Sequence, residues 1–427
     1  MTLHLPDIYE AYHRWKKAPT DKLICSQFFI SKLPPHWGYV IAAGTRVLAE
    51  KLQEFEVTEH FLNQVQESLK NCVDDDLDDF INMLSQLHPS WRVDAVHDGT
   101  FLFGSQPCLC LQGNTFLTLI LLKHFEQIIE NSINTATQVS RLKTALGEAP
   151  AVLISKDPVR SRAGLIGGAK YALNHESNKC TTLILNQDAF QLAPDPNALL
   201  ELNASASTKD NFELIKNLAV APRGIIIPFA GADTELQSYR EALTDRTWLN
   251  VEIYCDAPRD EQALKKQKAN GVNPDYWLLD FNLQSRSIGS VQIKALKSAI
   301  CNAESKWLWL NSSAENCAFP HIPGFLNIRR YGKRRPAGDM IVNEHIKAGS
   351  NIINDREFLT RSLRGDFKFL LEPVFMGRHF TLLQDETADS RHAQLQKELF
   401  GDNYTALDFP AAYPSGIEEN FFNSLRK

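Results

Sequence analysis

The chain has 427 residues, 44% of them hydrophobic and 22% charged, with a formal net charge of -6. That length suits two domains with substantial cores rather than one, and the mild acidity gives no basis for a nucleic-acid or anionic-membrane partner. The opening MTLHLPDIYEAYHRWKK has no basic segment ahead of an apolar core, and apolar runs such as Tyr39 to Ala43 are far too short to span a bilayer, so a cytoplasmic protein is expected.

In chain order, His4 to Glu10 precedes a short apolar strand at Phe28-Phe29-Ile30. Pro34-Pro35 break this strand, Tyr39-Val40-Ile41 resume it, and a helix is predicted from about Thr45. The acidic run Asp74 to Asp79 could bind a cation, but it opens an amphipathic helix carrying Leu77, Phe80, Ile81 and Leu84, where acids favour the helix dipole. From Val96 to Gly113 apolar and polar residues alternate around Gly99, Gly104 and Gly113, the pattern of short paired strands with tight turns. A long helix follows directly and ends near Arg141; Leu121, Phe125, Ile128, Ile129, Ala136 and Val139 give it one broad apolar face.

Eight cysteines scattered through a chain this long do not make a disulfide framework. Cys108 and Cys110 share one face of a strand, yet no CxxC or HxxxH supplies further ligands. They read as small buried residues, and no metal site is predicted.

Between about 150 and 315 the pattern changes. Strands are predicted at Ala151–Ser155, Thr181–Leu185, Gly224–Pro228, Asn250–Tyr254, Tyr276–Asp280 and Lys306–Leu310, with helices at Phe212–Leu218, Thr234–Leu243, Asp260–Lys268 and Ser290–Asn302. Such alternation implies βαβ units and a parallel sheet, with any chemistry at the carboxyl ends of the strands. Beyond it, the basic residues between Arg329 and Arg335 could meet phosphates but read better as a solvated loop, and Phe367 to Phe375 reads as one strand.

Several of these residues form a recognisable series. Asp98-Gly99-Thr100, Gln106-Pro107, Gln112-Gly113 and the helix end Ala136-Thr137-Gln138-Val139-Ser140-Arg141 resemble nicotinate phosphoribosyltransferases, where the same places usually read Glu-Gly-Thr, Glu-Pro, Glu-Gly and Ala-Thr-Lys-Ala-Ala-Arg. The spacing is kept while several acids have become amides or a shorter acid. The resemblance implies an α/β architecture: an irregular α/β barrel, here residues 116–324, and a discontinuous α+β domain built from 1–115 and about 325–427. It also implies that Tyr9 can stack on a pyridine ring, against the plainer reading of Tyr9 as a helix-face packing residue.

Family members transfer phosphoribose from phosphoribosyl pyrophosphate to a pyridine acid. The chemistry needs backbone N–H cradles and arginines for phosphates, a divalent cation on carboxylates, and negative charge near an oxocarbenium-like centre. By resemblance, Arg160 and Arg162 match the family's arginine pair, Gly167-Gly168 its glycine turn and Thr181-Thr182 its Thr-Ser, while Arg141 closes the helix motif; all are expected to bind substrate. Ser205 stands where the family has a histidine that takes a phosphoryl group from ATP, and no histidine occurs between His175 and His321. Phe229-Ala230-Gly231-Ala232 replaces Asp-Ser-Gly-Asp, which leaves Asp256 as the best-kept acid, and Asp280 to Ser285 fills a glycine-rich phosphate loop with side chains.

The resemblance thus implies the family scaffold without most of the reaction's equipment: a ligand-binding or regulatory homologue. Against it stand an active phosphoribosyltransferase, which would need Mg2+ and ATP, and a structural partner of an authentic enzyme. The implied ligands are nicotinate, phosphoribosyl pyrophosphate or nicotinate mononucleotide, and the implied oligomer is a homodimer.

Overall fold

The computed structural model divides into two units, one of residues 1–133, 290–403 and 409–427, the other of 134–289 and 404–408. The structure describes residues 3–21, 23–33, 37–73, 76–103, 106–146, 149, 151–154, 159, 163–164, 166–167, 199–202, 208–218, 221–222, 224–227, 233–258, 261–280, 292–301, 306–311, 326–332, 337–343, 347–353, 360–377, 379–380 and 415–425.

The first unit opens with α1 (Leu5–Lys17), β1 (Leu23–Lys32), β2 (Val40–Ile41), α2 (Thr45–Glu54), α3 (Glu59–Leu69) and α4 (Leu77–Ser85). It continues with β3 (Trp91–Val96), β4 (Phe101–Leu102), β5 (Pro107–Asn114) and the 32-residue α5 (Thr115–Leu146), which passes into the second unit. In α1 Pro6 sits in the first turn with Asp7, and Arg14, Lys16 and Lys17 occupy the last, so both ends suit the helix dipole. The α2 cap comes from a distance. Gly44 precedes the helix with φ +97° and no side chain to offer, and the Asp98 carboxylate instead accepts from the N–H groups of Thr45 and Arg46 at 3.0 and 3.4 Å. Gly99 donates to the Ala42 carbonyl at 2.7 Å, and Ala42 donates to the Thr100 carbonyl at 2.8 Å. The Asp-Gly-Thr segment therefore ties α2 to the two-stranded ribbon of β2 and β4.

Gly113 has a packing reason as well: a Cβ there would lie 2.3 Å from the Trp91 ring. Tyr39-Val40-Ile41 does not resume β1, because among the described residues β2 pairs with β4 alone while β1 lies between β5 and a later strand.

The second unit adds β6 (Ala151–Ile154), β7 (Leu199–Glu201), α6 (Thr208–Asn217), β8 (Gly224–Ile227), α7 (Asp233–Asp245), β9 (Glu252–Asp256), α8 (Glu261–Ala269) and β10 (Tyr276–Asp280). The five strands form one parallel sheet in the order β6-β10-β9-β8-β7. Strands such as GIII and YWLLD read as continuous apolar runs because the sheet has apolar neighbours on both faces. On one face Ile225, Ile227, Ile253, Cys255, Trp277 and Leu279 join residues of α5 to α8 in a core. On the other, Tyr254 and Leu278 pack with Ile226 and Tyr276, and the two tyrosine rings stack 5.1 Å apart. No closure of this sheet into a barrel is seen among the described residues. The predicted strand at Thr181–Leu185 lies outside them.

The chain then returns to the first unit with β11 (Gln292–Cys301), β12 (Lys306–Asn311), β13 (Leu326–Tyr331), β14 (Gly338–Asn343), β15 (Asn351–Ile353), β16 (Thr360–Ser362), β17 (Phe367–Phe369), β18 (Leu371–Gly377), β19 (His379–Phe380), β20 (Ser415–Glu418) and α9 (Glu419–Leu425). An antiparallel sheet runs β12-β11-β1-β5-β3-β18-β19, and a mixed sheet runs β16-β15-β20-β14-β13-β17.

Three expectations are corrected here. Within the predicted helix Ser290–Asn302 the described residues Gln292–Cys301 form β11, and Lys306–Leu310 is not a strand of the parallel sheet but part of β12, antiparallel to β11. Phe367 to Phe375 is not one strand: the chain leaves β17 in the mixed sheet at Leu370 and enters β18 in the other. Among the described residues no helix is long and apolar enough to cross a membrane.

Candidate functional site

In the second unit, three of the five parallel strands end on an acid: Glu201 on β7, Asp256 on β9 and Asp280 on β10. Asp256 stands in register with Leu278, and the next residue, Ala257, donates to the Leu278 carbonyl at 2.9 Å, so β9 stays paired with β10 up to its own carboxyl end, while the last residues of β10 pair with β6. Five residues after Asp256, α8 begins at Glu261.

The Glu261 carboxylate holds Arg141. The arginine Nε donates to Oε1 and its Nη2 to Oε2 at 2.9 Å, with the Arg141 side chain 1% exposed. Farther along the same two helices, the Lys268 ammonium donates to the Leu146 carbonyl, and burial lowers the Lys268 pKa. The two contacts set α5 and α8 side by side in one direction. Arg141 consequently lies at the amino end of α8, the end reached from the carboxyl end of β9. A helix start already favours negative charge, and the buried guanidinium adds to it; Glu261 answers both. A charge this deeply buried needs such a partner, since an unpaired one is strongly destabilising.

Gly167 packs against α5. A Cβ built on it would stand 2.1 Å from the Ala136 carbonyl oxygen and 2.9 Å from its carbon, so only glycine lets the two backbones approach this closely. Tyr9, in the first unit, lies off the buried face of α1, which is made by Ile8, Ala11 and Tyr12. It is 40% exposed, with its ring edge-on to His13 of the same helix at 4.2 Å. Arg160, Arg162, Gly168, Thr181, Thr182 and Ser205 lie outside the described residues. Arg141, Gly167 and Asp256 share the second unit, and Arg141 and Gly167 both belong to the surroundings of α5.

Gln106 also has a structural duty. Its amide nitrogen donates to Asp339 Oδ2 and Ser415 Oγ, both at 3.0 Å, and its oxygen accepts from the Phe103 N–H at 2.9 Å. Asp339 in turn receives two hydrogen bonds from Arg330, at 2.8 and 2.7 Å. With Asp339 supplying the negative charge, position 106 needs a donor, which an amide provides and a carboxylate does not. Arg329 and Arg330 accordingly sit on β13 and not in a solvated basic loop, Arg330 being fully buried.

Sequence reasoning passed over Glu261 and gave no weight to the strand-ending Glu201 and Asp280. An acid directly after an apolar run was the available signal for the last two; nothing local announces Glu261. Among the described residues no group of three or more His, Cys, Asp or Glu side chains is arranged to hold a metal ion.

No protein-family model matches the chain, and no curated protein matches its sequence. Solved structures do match its fold. Against the crystal structure of human nicotinic acid phosphoribosyltransferase the TM-score is 0.63 at 14% identity, covering 100% of this chain and 99% of that one. Against nicotinate-nucleotide pyrophosphorylase from Pyrococcus furiosus it is 0.53 at 13% identity, covering 93% and 94%. At such identities the likeness is one of fold: the chain has the architecture of these two pyridine-nucleotide enzymes.

Proposed function

We propose that the chain is a nicotinate phosphoribosyltransferase-like protein that binds a small molecule of the pyridine-nucleotide salvage type in the cytoplasm and does not carry the full ATP-coupled reaction. Nicotinate, phosphoribosyl pyrophosphate and nicotinate mononucleotide are the ligands this reading admits. The pair Arg141–Glu261 carries it: the arginine that the resemblance offers to an anionic substrate is buried and already neutralised by a carboxylate of the same chain. The sequence adds that no histidine stands near position 205 and that two acids of the family pattern are replaced at Phe229 to Ala232. Fold likeness raises this class of ligand as a prior and no more.

We read the parallel sheet as the larger part of an irregular barrel. Its order supports this, because β6, the first of these strands in the chain, pairs with β10, the last, as happens when a sheet wound in chain order comes round on itself. No step is assigned to Mg2+ or ATP. The described side chains offer no three-ligand cluster for the cation.

A second reading, an active phosphoribosyltransferase, is favoured by one observation: three strands of the parallel sheet, the adjacent β9 and β10 and, beyond β8, β7, end on acids, the residue type an oxocarbenium-like centre needs nearby. Isothermal titration with the three ligands tests binding under either reading. Heat with at least one is expected, and no heat with all three overturns the proposal.

A further inference from the structure

β1 and β5 are adjacent inner strands of the antiparallel sheet, with β11 beyond β1 and β3 beyond β5. Cys25 stands opposite Gln112 and Gln27 opposite Cys110, so the two cysteines share one face of the sheet, diagonally across the strand pair. Both are 1% exposed, and their Sγ atoms lie 3.0 Å apart. A disulfide needs the sulfurs only about 1 Å closer, an approach within reach of side-chain rotation that leaves the ladder between the strands whole. Cys108, two residues along β5, is engaged elsewhere, its Sγ donating to the Phe28 carbonyl at 3.3 Å.

Solvent comes close to this face. Gln112 is half-buried, and on β3 Asp94 stands in register with Cys110 and Arg92 with Gln112. The Arg92 side chain is 45% exposed. Burial raises the Cys110 pKa, which slows loss of the thiol proton and favours a small, uncharged oxidant over a bulky or charged one.

We propose that Cys25 and Cys110 are a site of reversible oxidation, joined as a disulfide by a peroxide and reopened by dithiols. One sulfur gives up its proton and attacks a peroxide oxygen; the O–O bond breaks, a sulfenic acid forms and the leaving oxygen departs as water. The other sulfur attacks the sulfenic sulfur, the S–O bond breaks, a second water leaves and the S–S bond forms. Two thiols are thereby oxidised by two electrons and one hydrogen peroxide is reduced to two waters. The product keeps no S–H donor to satisfy, so burial does not oppose it. It also ties together positions 85 residues apart, closing β2 to β4 and α2 to α4 into one loop, and such a constraint on the unfolded chain stabilises the fold. In a cytoplasmic protein a disulfide of this kind is a transient response to oxidant rather than a permanent staple. The site goes beyond the proposed ligand and does not depend on it.

Peroxide treatment of the full chain tests it, followed by alkylation of the remaining thiols under denaturing conditions and peptide mapping by mass spectrometry, with a thermal melt of each sample. A Cys25–Cys110 linkage is expected, with a melting temperature higher by about 5 °C, both reversed by dithiothreitol. Cys25→Ala and Cys110→Ala are each expected to abolish the gain, and Cys72→Ala, which removes an exposed thiol, to keep it. Mapping of the unaltered chain decides the question if a buried variant fails to fold. Full oxidation of Cys72 with Cys25 and Cys110 still unlinked, linkage of either to a different cysteine, or a linked form that melts no higher overturns the proposal.

Discussion

The Arg141 guanidinium and the Glu261 carboxylate form a buried, two-pronged ion pair between α5 and α8, with Nη2 to Oε2 at 2.9 Å. Removing one member leaves the other charge buried and alone. Arg141→Met and Glu261→Leu should therefore each cost about 3–5 kcal/mol, and the double variant should cost far less than their sum, because an apolar pair leaves no charge behind. Urea unfolding of the four proteins measures this. Strictly additive losses would mean that the two groups do not act as a pair.

Gly167→Ala separates packing from ligand contact. The new methyl would stand 2.1 Å from the Ala136 carbonyl oxygen, and a helix backbone cannot yield as a flexible side chain can. A loss of about 1–3 kcal/mol is expected, as for other overpacked sites, read as a lower melting temperature. An unchanged melting temperature with lost ligand binding would instead make Gly167 a ligand contact.

The buried thiols give a pH dependence with a definite sign. Burial pushes the Cys108 pKa up from 9.0 to about 12, and burial beside Cys25, whose Sγ lies 3.0 Å away, raises that of Cys110 well above its ordinary value. The folded chain keeps these protons where the unfolded chain releases them. Their contribution to stability is accordingly full below pH 9.0 and falls as pH rises from there towards about 12. At pH 8 the exposed Cys72 should react with a thiol reagent before Cys25, Cys108, Cys110 and Cys255, all of which are buried. Mass mapping of a partially labelled sample checks the order, and early labelling of Cys108 would contradict it.

Local patterns made some of this fold legible and tertiary partners decided the rest. The long helix α5 follows from its apolar spacing, and the parallel strands β8 and β10 from short apolar runs at regular intervals. β11 was not legible. Ile293, Leu296 and Ile300 recur at helical spacing, yet the segment lies between β1 and β12, whose backbone groups it satisfies as a strand. Glu261 was hidden for a similar reason, since its partner is 120 residues away and no spacing relates them. Asp98, Gly99 and Gly113 carried the family resemblance, but in the structure they cap a helix, turn the chain and admit a tryptophan. Motif spacing identified the scaffold through residues that build it, which is why it said little about chemistry.

The most direct test of binding without the full reaction is a turnover assay with nicotinate, phosphoribosyl pyrophosphate, Mg2+ and ATP, following nicotinate mononucleotide and pyrophosphate together. Formation slower than about 0.01 s-1, well below the roughly 1–1000 s-1 of ordinary enzymes, is the expected result. Turnover within that ordinary range, stimulated by ATP, would contradict it.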